Sequence, residues 1–296
     1  MENRSTPKTE EIRLLLKKRD VNTFIESGSA YVVPLIQYLK QKENDLRSEA
    51  ASVLGEIGDP MAVDTLIESL EMSTSGTLID SLKMLLRKGI SFTVCRNAAL
   101  ALGKIGDVRA VEPLIACLYK DDYDLRCNAI VALGQIRDAR AVIPLIRLLG
   151  ERETELYLFV AESLANIGDL RAVEPLIELL KDRNVEVRNS VKVYVARIFK
   201  LREVTTLIVC LGDKDRFIRV VAARTLGEKG DLRAVEPLIA SLGDRFGMVR
   251  CSAAGSLGQL GDSRAIEPLK VCLDDEDVSV HNMAAEALLK FKSSEG

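Results

Sequence analysis

Between Asp124 and Ile136 the apolar residues include Leu125, Ala129, Ile130, Ala132, Leu133 and Ile136. Steps of three and four place them on one face of a helix. A second, shorter stretch carries Val111, Leu114, Ile115 and Leu118 at the same spacing, which predicts a second amphipathic helix. No segment shows the sustained alternation of a strand. The pattern is periodic: residues 103–118 read GKIGDVRAVEPLIACL, residues 134–149 GQIRDARAVIPLIRLL and residues 227–242 GEKGDLRAVEPLIASL. The position before the Leu-Ile pair (Leu-Lys in the last copy) is Pro34, Thr65, Pro113, Pro144, Pro175, Thr206, Pro237 and Pro268. Six of the seven steps between these anchors are 31 residues and one is 48, an excess of 17. A fixed period of this length is the mark of a repeat architecture.

Each copy predicts a helical hairpin. The Gly-Asp pair between the helices is a turn whose aspartate caps the second helix. The proline lacks an N–H and belongs in a first helical turn. Gly103, Gly134, Gly227 and Gly258 end the first helix, where a missing side chain permits close packing. One hairpin cannot bury both faces, so copies must stack. The expected fold is all-α, a right-handed α-solenoid (α-α superhelix).

Departures from the pattern set the expected boundaries. Residues 1–11 read as a flexible tail, residues 12–291 as one solenoid and residues 292–296 as a frayed end. An insertion falls at about 72–88 and a C-terminal cap helix at about 277–291. A degenerate unit occupies about 185–212, where the Gly-Asp turn and the proline are gone. There Tyr194 enters a column otherwise held by Val53, Ala101, Ala132, Ser163, Thr225, Ser256 and Ala287. A large side chain in that column must change local packing.

The unit G-x-I-G-D-x-R-A-V-E-P-L-I resembles the HEAT-like repeats of the phycobilisome lyase type, over roughly residues 30–291. The resemblance implies the helical solenoid. It also implies a choice of functions: bilin lyase subunits, an iron-dependent deoxyhypusine hydroxylase, and plain interaction proteins. Fold does not choose among them.

Composition narrows that choice. The chain holds one histidine, His281, followed by Asn282. The hydroxylase needs paired His-Glu motifs to hold iron, so that chemistry fails on ligand count. His281 occupies the column of Arg47, Arg126, Arg188, Arg219 and Arg250, and reads as an arginine replacement. The six cysteines show no C-x-x-C spacing: Cys117, Cys210 and Cys272 share one column, and Cys127 and Cys251 another. Neither a metal site nor a disulfide frame is indicated, and reduced thiols fit a cytoplasmic protein. The net charge of −3 argues against a nucleic-acid binder, and no apolar run has the length of a membrane span. The recurring Asp and Arg of the turn, such as Asp107 with Arg109 and Asp262 with Arg264, read as caps and ion pairs linking successive units.

No catalytic residue, metal ligand or cofactor-binding residue is assigned. Solenoids bind along a concave face, which the family resemblance gives to the second helices. There the positions one, two and five after the anchor face the core, and positions three and six face out. The candidate partner-binding residues are Gln37, Glu68, Tyr119, Arg147, Glu178, Val209, Ala240 and Val271. This face begins polar and becomes small and apolar toward the C-terminus, suiting an amphipathic partner helix. The expected function is a non-enzymatic protein-interaction scaffold or assembly factor, for which a monomer suffices. The competing reading is a bilin lyase-type subunit or chaperone handling a tetrapyrrole on a target protein.

Overall fold

The structure is a computed structural model that describes residues 7–41, 46–71, 93–150 and 156–293. The expected insertion at 72–88 lies outside the described residues, as do residues 1–6 and 294–296. The chain divides into two compact units, Met1–Pro175 and Leu176–Gly296. Each is built from helical hairpins with no strand among the described residues, and the fold is an all-α solenoid of such hairpins.

In the first unit the helices are α1 (Pro7–Lys18), α2 (Val21–Ser27), α3 (Val32–Lys40), α4 (Arg47–Ile57), α5 (Val63–Glu71), α6 (93–105), α7 (Val111–Cys117), α8 (Tyr123–Ile136), α9 (Val142–Gly150) and α10 (Tyr157–Ile167). Helix α11 (Val173–Glu178) spans the dividing point. The second unit continues with α12 (Val185–Lys200), α13 (Val204–Cys210), α14 (Arg216–Lys229), α15 (Val235–Ser241), α16 (Gly247–Leu260), α17 (Ile266–Val271) and α18 (Val278–Ser293).

Two boundaries differ from expectation. Residues 7–11, assigned to a flexible tail, form the start of α1. Ile12 and Leu16 of that helix are fully buried against its neighbours, so α1 and α2 together form a cap on the first hairpins. Phe24 of α2 completes the cap, meeting the edge of Tyr31 at 5.2 Å between ring centroids. At the other end α18 runs to Ser293, two residues past the expected boundary. Leu289 stands there in the glycine column and is exposed. No described helix packs over Leu289, so a side chain fits there that a covered position could not take.

The glycine column shows why. A methyl group at Gly55 would stand 2.6 Å from the Ala101 Cα, and one at Gly258 2.6 Å from the Ala287 Cβ. At Gly134 and Gly227 the obstacles are Ser163 and Ser256, at 2.7–2.8 Å. Glycine in one first helix thus meets a small residue in the next, and the helix backbones come close. The serines gain from this approach. Ser163 Oγ donates to the Ile130 carbonyl at 2.8 Å, and Ser256 Oγ to the Ala223 carbonyl at 2.9 Å, each on the first helix of the preceding hairpin.

The turn between helices is more elaborate than a simple cap. In the regular hairpins the aspartate caps a short 3₁₀ turn, and the α-helix begins after it. Asp107, for example, accepts from the Arg109 N–H at 2.9 Å, and α7 starts at Val111. Pro113 is therefore the third residue of α7, within the first turn, where no intrahelical N–H is needed. Before the aspartate, glycine takes the left-handed conformation, as at Gly168 with φ 79°. Arg137 holds that place in one hairpin at φ 61°, a position strained for a residue with a Cβ.

Candidate interaction surface

All eight candidate binding residues are exposed. In the first unit they are Gln37 on α3, Glu68 on α5, Tyr119 just after α7 and Arg147 on α9. In the second unit they are Glu178 on α11, Val209 on α13, Ala240 on α15 and Val271 on α17. Each second helix faces its leucines inward: Leu35, Leu66, Leu114, Leu145, Leu207, Leu238 and Leu269 are fully buried. A turn of 100° per residue then sends the third position after the anchor outward. One detail differs from expectation. The position two after the anchor is only half-buried at Ile36, Ile115, Ile146, Ile208 and Ile239, and it is an exposed lysine at Lys270. It lies at the rim of the core, not within it.

The candidate positions change character along the sequence. Around Glu68 and Glu178 the surface is charged: Glu68 pairs with Lys40 at 3.8 Å, and Glu178 with Lys181 at 2.6 Å. Val209 and Val271, by contrast, are 76% and 75% exposed. These are among the most exposed aliphatic side chains described, and Ala240 lies on the intervening second helix.

The recurring Asp and Arg form the expected linkage. Arg140 Nε and Nη2 donate to Asp138 at 3.0 and 2.9 Å, and Nη2 also reaches the Val108 carbonyl of the preceding copy. Arg109 likewise reaches back to Asp64, and Arg264 to Glu236. The guanidinium bonds, seconded by the backbone N–H, hold the Asp231 and Asp262 carboxyls down at about 2. These groups are occupied in holding copies together.

A second arginine column is interior. Arg219 donates from Nε and Nη2 to both oxygens of Asp244, at 2.7 and 3.0 Å, and from Nη1 to the Asp213 carbonyl. Arg250 repeats this arrangement on Asp275 and the Asp244 carbonyl. Arg47 is buried and donates to the Leu39 carbonyl. His281 contacts the Leu273 carbonyl through Nδ1, eight residues back as in Arg47, and so fills an arginine's place.

Burial disfavours ionisation of five of the six thiols. All six are free, and Cys95 donates to the Ser69 carbonyl. Burial pushes the Cys117 thiol up to about 11, and raises Cys127, Cys210, Cys251 and Cys272 as well. Among the described residues no group of His, Cys, Asp and Glu could hold a metal ion, and no helix is long and apolar enough to cross a membrane. A pocket of about 270 Å³ lies against the N-terminal cap, lined by Leu16, Phe24, Val53, Asp20, Glu49 and Asn97 among others. Its polar groups already serve the fold: Asp20 caps α2, and Asn97 donates to the Ser48 carbonyl.

The model for HEAT repeats matches residues 111–197 and 204–290, more than half of the chain. The model for the PBS lyase HEAT-like repeat matches residues 46–72 and 94–120. A comparison with curated proteins gave no match. Among solved structures, the chain is similar to the complex of CpcE and CpcF of phycocyanin lyase from Nostoc sp. PCC7120. The identity is 25% and the TM-score 0.46, covering 88% of this chain and 92% of that one. It is also similar to human deoxyhypusine hydroxylase in complex with glycerol, at 18% identity and TM-score 0.37, over 92% and 98% of the two chains. An engineered protein is similar at 21% identity and TM-score 0.32, over 88% and 96%. With its hairpin geometry and the span of the matching repeats, the chain belongs to the HEAT repeat family.

Proposed function

We propose that this protein is a non-enzymatic scaffold or assembly factor that holds a protein partner on the exposed face of its second helices. One observation carries the reading: the Val209–Ala240–Val271 row. It leaves two valines about three-quarters exposed on hairpins two copies apart, with Ala240 exposed on the hairpin between them, while the other aliphatic residues there are mostly turned inward. Exposed apolar side chains recurring at one position of a repeat suit the apolar stripe of an amphipathic helix. The test is affinity capture from the native source with the whole chain, beside a V209E/A240E double variant. A specific partner retained by the wild type should be lost from the variant, at least tenfold, with an unchanged melting temperature. Equal capture by both would refute the assignment.

A second reading is favoured by the PBS lyase HEAT-like repeats at 46–72 and 94–120. It makes the protein a bilin lyase-type subunit or chaperone that handles a tetrapyrrole on a target protein. Titration with a free bilin separates the two. A saturable absorbance shift supports the chaperone, and an unshifted spectrum at tens of micromolar protein rejects it.

A further inference from the structure

Three guanidiniums surround one aromatic ring in the second unit. The Cζ atoms of Arg245, Arg216 and Arg219 lie 4.8, 5.3 and 5.6 Å from the Phe246 ring centroid. Arg219 is neutralised by its two bonds to Asp244. Arg216 and Arg245 are exposed, and among the described residues neither forms an ion pair or a hydrogen bond. The aromatic face attracts both cations but accepts none of their strong N–H bonds. Two like charges are therefore held within about 10 Å of each other, with their donors open to solvent.

The local sequence explains the excess charge. Position 246 belongs to the column of Asp122, Asn184, Asp215 and Asp277, each of which caps the first helix of its hairpin with a side-chain oxygen. Phe246 makes no such bond. The copy has lost a carboxylate or amide and gained a ring. The nearby carboxylates hydrogen-bond elsewhere: Asp244 to Arg219, Asp215 to the Phe217 and Ile218 N–H groups, Asp213 to the Asp215 N–H and Asp277, beside Gly247, to the Ser279 N–H; Asp244 attracts Arg245 without pairing with it.

We infer that Arg216, Arg245 and Phe246 form a recognition site for an acidic peptide segment of a protein partner. Here clustered carboxylates or phosphates would supply the acceptors that the chain itself withholds. The inference rests on the scaffold reading and names the chemistry of the partner. Guanidinium forks bind carboxylate and phosphate oxygens in pairs, and the ring pre-orients them. The next loop along the stack carries Asp275, Glu276 and Asp277, so the cationic patch ends within one copy. A long polyanion following the loops would meet that negative charge, whereas a short acidic segment would not. Met248, 61% exposed, and the Ala240 row supply apolar surface on the helices either side of the same loop.

The test uses fluorescence anisotropy on the whole chain at low salt. The probes are labelled decaglutamate, a Gly-Ser decapeptide bearing two phosphoserines, decaglutamine and a ten-nucleotide single-stranded DNA. Saturable binding of either acidic peptide is expected. It should weaken at least tenfold in R216E/R245E and several-fold in F246L, with R216K/R245K intermediate and no change in melting temperature. The two acidic arms show whether carboxylate or phosphate is preferred. The inference is overturned if neither acidic peptide binds, if R216E/R245E binds them as the wild type does, or if the DNA binds more tightly than both. A captured partner that is lost from V209E/A240E but kept by R216E/R245E would overturn this site and leave the scaffold reading standing.

Discussion

Two neighbouring hairpins of the second unit differ in how they are held. In α14–α15 the first helix ends on Gly230, left-handed at φ 69°, and Asp231 caps the 3₁₀ turn while binding Arg233. In α12–α13 the first helix ends on Leu201 in a right-handed conformation, and Glu203 precedes α13 without a side-chain cap bond. The interior arginine differs too. Arg219 and Arg188 both donate to the backbone carbonyls five and six residues upstream, but only Arg219 adds a carboxylate, Asp244. Even the small-residue column diverges. Ser256 reaches the first helix of the preceding hairpin, whereas Thr225, which follows the degenerate hairpin, bonds the Val221 carbonyl of its own helix at 2.8 Å. The apolar register survives in both hairpins, with Val204 and Leu207 buried like Val235 and Leu238. Leucine and valine spacing therefore suffices to place a hairpin, and the polar devices fix how firmly it is tied to the next.

The comparison is broken most sharply at the interior arginines. Arg219 and Asp244 are both largely enclosed, so R219A leaves a carboxylate without its partner and should cost about 3 kcal/mol. R188A removes only bonds to carbonyls and should cost about 1 kcal/mol. Chemical denaturation followed by far-ultraviolet circular dichroism measures both. Equal losses would show that the carboxylate contributes nothing beyond the carbonyl contacts.

The glycine column gives the next effect. G227V places branched carbon where a methyl alone would stand 2.7 Å from Ser256, and about 2 kcal/mol of overpacking is expected. The degenerate hairpin already carries Ala196 at the matching position, half-buried, so A196V should cost under about 1 kcal/mol. A G227A variant as stable as the wild type would indicate that the helices can separate at little cost.

Much of this was legible in the sequence. The 31-residue period, the inward leucines, the glycine column and the exposure of all eight candidate residues follow from one helical repeat and its spacing. Other features depend on what stacks against what. Nothing local in Arg219 or Arg250 says that a carboxylate 25 residues on will pair with it. The 3₁₀ turn was hidden because a capping aspartate is compatible with either helix type. The Arg216–Arg245–Phe246 cluster had a signal, Phe246 in a column of capping residues, but its meaning required a neighbouring loop to bring Arg216 onto the ring. The helical start at residues 7–11 was missed because a polar run hides a helix whose apolar contacts begin at Ile12.

The smallest effect sits in the turn, where acid separates the two hairpins. Asp262 accepts from the Arg264 N–H at 3.0 Å and from its guanidinium at 2.9 Å, and these bonds hold its carboxyl at about 2. Asp231 is held at about 2 in the same way. A carboxyl whose value falls on folding stabilises the fold above its ordinary range, and that contribution disappears as pH falls through the folded value. The contribution of both turns should therefore be complete above about pH 4 and fade between about pH 4 and 2. A D231N/D262N variant should have a lower denaturation midpoint than the wild type at pH 7, and the gap should close across that acid window. E203Q, at the uncapped turn of the degenerate hairpin, should leave the midpoint at pH 7 unchanged. A gap that persisted at pH 2 would mean that the aspartates act through shape and neutral hydrogen bonding. The charge of the Asp–Arg turn would then not be what distinguishes the regular hairpins from the degenerate one.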